Sequence, residues 1–338
     1  MRMKKLWMYS LVFLSILAAC EVQEEQDMMP VPVQQTASAA IDMKMIEVDI
    51  PTKPVTKRSM AAKAKGIGLN PQVKEINEML VPYGVQLEKM EYYSYNAAGR
   101  VVFFSDRGNK QLNSDYVPND PRNVGSQIGL PANAVPYLID GTQTTTASGF
   151  NTVNTLNTVM ATWDDVNCST GLSLPSLGVT GFDVGFISNA FFGFGGSNGF
   201  FPGAIVQAGV LPKEFFDLIA PGGGNGILGV CFTLTWIEDI NQDGTPDVAL
   251  KEIYYNDNFN WQDAVATGGG VDFQTVALHE TGHALSQAHF GTVSGTQANG
   301  KIHFSPRALM NAGYSGVNRV VEKSDEAGHC SNWGKWPN

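Results

Sequence analysis

Two histidines four residues apart, His279 and His283, with Glu280 beside the first, place the tightest constraint on this chain. The surrounding segment, Val276–Phe290, reads VALHETGHALSQAHF. On a helix of about 3.6 residues per turn, an i, i+4 pair projects from one face. Both imidazoles can therefore reach one tetrahedral metal. Glu280 is placed to act as general base toward a water activated by that metal, rather than to ligate. Ala277, Leu278, Ala284 and Leu285 supply the apolar faces that bury such a helix. A third histidine, His289, follows at a preset offset, so a helix that merely happens to carry two histidines is the weaker account.

Composition narrows the rest. All five histidines fall within the last 60 of 338 residues, which points to one chemical site there. The formal net charge is −10, and residues 131–338 carry 7 basic against 18 acidic side chains. Such a balance excludes a nucleic-acid binder, because phosphates must be met by Lys and Arg. Residues 20–130 carry 12 basic and 14 acidic side chains, so the two parts read as different objects. The N-terminus reads MRMKK and then an apolar run of 14 residues, Leu6–Ala19, ending at Cys20. Positive charge, a short apolar run and small residues make a secretory signal over 1–19. The run is too short to span a hydrocarbon core of about 30 Å. Leu17-Ala18-Ala19-Cys20 resembles the lipobox of bacterial lipoproteins, which implies cleavage before Cys20 and lipid on that residue. The expected location is the bacterial cell envelope, with the membrane reached through lipid on Cys20. Residues 20–65 then read as a polar, Pro-containing tether.

Residues 66–130 are expected to form a small α+β N-terminal region, a propeptide or an accessory module. Asn70–Leu80 places Val73, Ile76, Met79 and Leu80 on one helical face, and Val85–Tyr95 and Arg100–Ser105 read as strands around a turn. From about residue 131 a larger domain is predicted to run to 338. Its expected elements are strands at 135–140, 182–188, 227–236 and 248–255, a helix over 150–166 and the histidine helix from about Asp272. The stretch Phe191–Phe201 (FFGFGGSNGFF) lacks the pattern of a phosphate loop and reads as irregular.

His279-Glu280-x-x-His283-x-x-Ser286-x-x-His289 resembles the metzincin zinc-protease pattern HExxHxxGxxH at every position but the glycine. That glycine turns the chain sharply out of the helix, and Ser286 can follow only at some cost, since positive φ is disfavoured beside a Cβ. Ala308-Leu309-Met310 looks like the methionine turn of that family, most of all that of matrixins. The resemblance covers about 133–325. It implies a zincin-like α+β domain: a twisted, mostly parallel sheet with an antiparallel edge strand, a zinc helix and the Met-turn at Met310. Zinc would sit on His279, His283 and His289 with Glu280 catalytic. Ile227–Trp236 would be the edge strand to which a peptide substrate adds. Tyr314, four residues beyond Met310, is not placed like the metal-bound tyrosine of astacins, but can shape the pocket below the metal.

The expected function is therefore a zinc-dependent metalloendopeptidase, hydrolysing peptide bonds of extracellular or envelope proteins as a monomer. A zinc-containing cell-surface binding lipoprotein without turnover is the alternative. A gluzincin-type site with a downstream Glu ligand is disfavoured by the spacing of His289. Asp239-x-Asn241-x-Asp243-Gly244-x-x-Asp247 admits two readings, a calcium loop through Asp239, Asn241, Asp243 and Asp247 or a solvated acidic turn. His303 reads as surface and His329 as part of a packed tail. Cys168, Cys231 and Cys330 are expected to give one disulfide and one thiol, with the pairing open.

Overall fold

The computed structural model describes residues 43–50, 71–104, 115–263, 269–295 and 302–337. The expected signal, Cys20 and most of the expected tether lie outside them. No helix of the described residues is long and apolar enough to cross a membrane.

Helix α1 (Pro71–Leu80) buries Val73, Ile76 and Leu80 at helical spacing. Gly84, at φ +72°, then reverses the chain into strand β1 (Val85–Ser94), which is followed by β2 (Arg100–Phe103). Next come β3 (Tyr137–Ile139), helix α2 (Val153–Asp164), β4 (Ser176–Val179) and β5 (Ile205–Leu211). Helix α3 (Lys213–Ile219) leads to the two long strands β6 (Ile227–Trp236) and β7 (Val248–Asn256). Helix α4 (Phe273–Ala284) carries the metal motif. A hairpin of β8 (Thr292–Gly295) and β9 (Ile302–Ser305) and the C-terminal helix α5 (Lys323–Trp333) complete the chain.

The fold is α+β, built on one mixed seven-stranded sheet in the order β2-β1-β6-β7-β5-β3-β4. β2–β1, β1–β6 and β6–β7 pair antiparallel, whereas β7–β5, β5–β3 and β3–β4 pair parallel. The sheet is thus half antiparallel rather than mostly parallel. Two apolar cores flank it. One lies against α1, α3 and the segment around Phe186 and Phe191; the other lies against α2, α4 and Trp333 of α5. In α2, Leu156, Val159, Met160 and Trp163 form the buried stripe, and the Trp163 indole N–H donates to the Leu278 carbonyl of α4 at 3.0 Å.

Four expectations are corrected. The region 66–130 is not a separate module, because β1 and β2 belong to the central sheet. Ile227–Trp236 is not an edge strand, because β1 covers its outer side from Val85↔Trp236 to Ser94↔Ile227. Residues 43–50 are not free tether: Ile46 and Glu47 pair with Phe200 and Gly199, and Val48 is buried. Finally, Phe182–Ser188 is not a strand. The buried Glu252 carboxylate accepts the N–H groups of Phe186 and Ile187, and the Tyr254 hydroxyl that of Ser188, starting a helical turn instead.

Cys168 and Cys330 form the disulfide, tying α5 to the end of α2, and Cys231 stays a buried thiol. The bond closes a sequence separation of 162 residues, so its loss frees a long loop in the unfolded chain. A Cys330→Ser variant is expected to lose about 2–5 kcal/mol of stability, read as a lower urea midpoint with the slope little changed.

Candidate metal centre

The histidine helix is fixed at its start by chemistry local to the sequence. Asp272 caps it, accepting the Thr275 N–H at 3.0 Å and the Thr275 hydroxyl at 2.6 Å, while Arg319 pairs with the same carboxylate. Every residue from Thr275 to Ala284 is buried. The helix therefore ends inside the protein, where its two histidines meet the third.

His283 Nε2 lies 3.0 Å from His279 Nε2 and 3.1 Å from His289 Nε2. The opposite nitrogens set the tautomers. His279 Nδ1 lies 2.8 Å from the Leu309 carbonyl and His283 Nδ1 lies 2.8 Å from the Gln287 carbonyl. Carbonyls only accept, so each Nδ1 carries the proton and each Nε2 presents a bare lone pair. Burial, first of all, and the neighbouring imidazoles keep His279 and His283 well below the ordinary histidine range; burial brings His289 down to about 4. Lone pairs converging in this way repel unless a cation lies between them. The donor set fits zinc, and fits it by neutral imidazole nitrogen alone.

The turn out of the helix follows the backbone expected for it. Ser286 has φ +62°, and its N–H returns to the His283 carbonyl at 2.9 Å. Met310 packs against the backbone of the histidine helix. A Cβ on Gly282 would fall 2.4 Å from Met310 Sδ, so the glycine inside HETGH makes room for that contact. Asp325 holds the turn by accepting the Leu309 and Met310 N–H groups at 2.9 and 3.0 Å, and Leu309 in turn orients His279. Gly229 on β6 likewise leaves space for Glu280, whose Cγ would lie 2.8 Å from a Cβ there.

Glu280 is fully buried, and no side chain donates to its carboxylate. Burial, and after it Glu91, push its pKa well above the usual carboxylate range, and the Tyr93 main chain offsets part of this. Glu91 and Tyr93 belong to β1 and carry no motif that could have flagged them. The Tyr93 ring stacks on His279 at 3.8 Å between centroids, and a Glu91 oxygen lies 3.4 Å from His283 Nδ1. Lys89 pairs with Glu91 at 3.1 Å, both fully out of solvent. The strand then passes between β6 and the segment after the Met-turn: Ser94 bridges Gly313 in parallel, and the Tyr314 N–H donates to the Ser94 carbonyl. Tyr314 packs edge-on to Tyr93, and its hydroxyl accepts the Asp272 N–H.

The remaining candidates lie elsewhere. Asp239, Asn241, Asp243 and Asp247 all sit on the β6–β7 connection. His303 is exposed on β9, and His329 is buried against Trp163 with Nε2 on Ser169 Oγ. Cys168, Glu326 and Cys330 also cluster, but the two sulfurs are bonded to each other and offer no thiolate. No protein-family model matches the chain, and no curated protein matches it significantly.

Because Ser286 holds a left-handed backbone that costs a Cβ-bearing residue about 1–2 kcal/mol, Ser286→Gly is expected to stabilise the protein. The gain should be about 1 kcal/mol in denaturant unfolding, part being offset by the looser unfolded glycine chain.

Proposed function

We propose that the protein is a zinc-dependent endopeptidase of the metzincin type. The observation that carries this reading is the convergence of the His279, His283 and His289 Nε2 atoms, with Glu280 fully buried on the same helix. His279, His283 and His289 would hold the metal. Zinc supplies a Lewis acid that acidifies water and polarises a carbonyl. Glu280 then serves as general base, taking the water's proton as the scissile carbonyl is attacked and passing it to the leaving amine. Leu309 and Gln287 keep the imidazoles in their ligating tautomer through the reaction. Export, lipid on Cys20 and an envelope protein as substrate belong to the same proposal, supported by the N-terminal sequence alone.

The reading has one structural consequence. A peptide substrate adding to β6 would need the edge that β1 already occupies, and His279, Glu280 and His283 are 0% exposed. In the arrangement described, β1 lies where the substrate would, so hydrolysis of a polypeptide requires its metal-proximal half to leave. The sealed site is also the observation favouring the second reading, a surface protein that keeps zinc without turnover.

Two measurements decide these points. Glu280→Gln is expected to retain one zinc per chain while hydrolysis of denatured casein falls by at least about a thousandfold. Full activity in that variant removes Glu280 from the mechanism. Glu91 stands directly opposite the native Cys231 across the β1–β6 ladder. Glu91→Cys should therefore form a cross-strand bond on oxidation that locks β1 in place. Hydrolysis is expected in its reduced form and not in its oxidised form, zinc content being equal and the parent protein carried through the same reductant. Equal activity in both forms shows that β1 need not move. No activity in either, with zinc bound and none in the parent, favours the non-catalytic reading.

A further inference from the structure

A group of acidic side chains lies at the far end of β6, away from the histidines and independent of the peptidase reading. Asp239, Asn241, Asp243 and Asp247 occupy the connection between β6 and β7, and the structure adds a residue that the sequence pattern does not contain. Asp115, more than a hundred positions earlier, is pinned beside them: its N–H donates to the Pro246 carbonyl at 3.2 Å and its own carbonyl accepts the Val248 N–H at 2.6 Å. This main-chain bridge sets Asp115 level with Asp247. Asp115 is thereby placed to face Asp243 and Asp247, so carboxylates from two distant segments lie side by side. None of Asp115, Asp239, Asp243 and Asp247 has a Lys or Arg ion-pair partner among the described residues.

The oxygens left over point to a ligand. Asp247 is 0% exposed; its Oδ2 accepts the Ile240 N–H, but its Oδ1 has no donor at all. Asp115 Oδ1 is equally without a donor. Asp115 faces both Asp243 and Asp247, and burial together with these two carboxylates pushes its pKa up to about 8. Asp239 is already oriented, its two oxygens taking the Asp243 and Gly244 N–H groups at 3.2 and 2.8 Å. A fully buried carboxylate oxygen facing other carboxylates costs several kcal/mol unless it is neutralised.

We propose that Asp115, Asp239, Asn241, Asp243 and Asp247 form a calcium site. The donors are all oxygen, which selects a hard cation, and the number of carboxylates on a flexible connection suits calcium's six to eight ligands better than magnesium's rigid octahedron. Bound there, calcium would fasten the chain just before Tyr116 to the β6–β7 connection, and so fix the end of the sheet opposite to the metal centre.

The test uses the full zinc-loaded chain, freed of calcium by dialysis against a calcium-selective chelator, and calcium chloride alone as the probe. Saturable one-to-one binding in calorimetry is expected, with a rise of several degrees in the unfolding temperature. Asp243→Asn, at an exposed position, and Asp115→Asn are each expected to weaken calcium binding about tenfold or more and to lose the thermal shift. If Asp115→Asn fails to fold, Asp243→Asn decides alone. The proposal is overturned by the absence of binding at millimolar calcium, by an unchanged affinity in Asp243→Asn, or by an equal thermal shift from magnesium, which would mark charge screening rather than a site.

Discussion

Three imidazole nitrogens held about 3 Å apart with their lone pairs facing are the constraint on which the rest of this structure depends. His279 and His283 cannot relieve this by a hydrogen bond to each other, because their protons are committed on the other side to main-chain carbonyls. The arrangement asks for a cation, and the fold around it is arranged to keep the nitrogens in place. Asp272 caps the helix, Trp163 donates to its carbonyl at Leu278, and Met310 fits below Gly282. Asp325 ties the Met310 turn to α5, which the Cys168–Cys330 bond fastens to α2. A change in any of these reaches the three histidines through one or two contacts.

Much of the site was legible because it is local. The i, i+4 histidine spacing, the acidic neighbour and the turn at Ser286 all lie within eleven residues, and the predicted positive φ at Ser286 is present. The histidine helix itself was read from its apolar faces, and the strands 85–94 and 227–236 from composition. What could not be read is which strands pair. Ser94 and Ile227 stand opposite each other across more than 130 positions of sequence, and no pattern in either segment names its partner. Glu91, Tyr93 and Asp115 were missed for the same reason. Two errors were local. Residues 182–188 have a strand-like composition, but the side chains of Glu252 and Tyr254 take over their amides. Strand β5 (IVQAGVL) went unseen because its continuous apolar run follows a Phe/Gly-rich stretch that hides its start.

The side chains of β1 are unusual for a strand that lies inside a sheet. On one face Met90 and Tyr92 join an apolar core, as expected of a permanent member. On the other, Lys89 and Glu91 are fully buried beside the histidines, with Lys251 and Cys231 close by. Burial and the neighbouring Lys89 bring the Lys251 ammonium down to about 7, although Thr233 Oγ1 and the His283 carbonyl accept from it. An ion pair in such a place is often no better than apolar residues of the same size, and breaking it leaves an uncompensated charge. The sheet face below α4 is therefore polar where a purely structural interface would be apolar. That polarity fits the proposed role of this face, which would receive a peptide main chain beside the histidines.

Register shows how such a strand can both belong to the fold and yield the site. The β1–β6 ladder shifts between Leu87 and Lys89, and again between Tyr93 and Ser94. The first shift divides β1 into an anchored half, with Val85 and Leu87 wholly buried, and a half from Lys89 onward that lies over the metal centre. Lifting only the second half exposes Met90, Tyr92 and Tyr93, at a cost of about 1.5–3 kcal/mol each from apolar burial, and breaks the ladder to β6 from Lys89 to Ser94. It also returns Lys89 and Glu91 to water, which offsets part of that cost. Through such a lift α1, Val85 and Leu87 keep their core contacts. A bulge beside a buried charge pair thus gives β1 a point at which to divide, and the strand it covers is the one that faces Glu280 through Gly229.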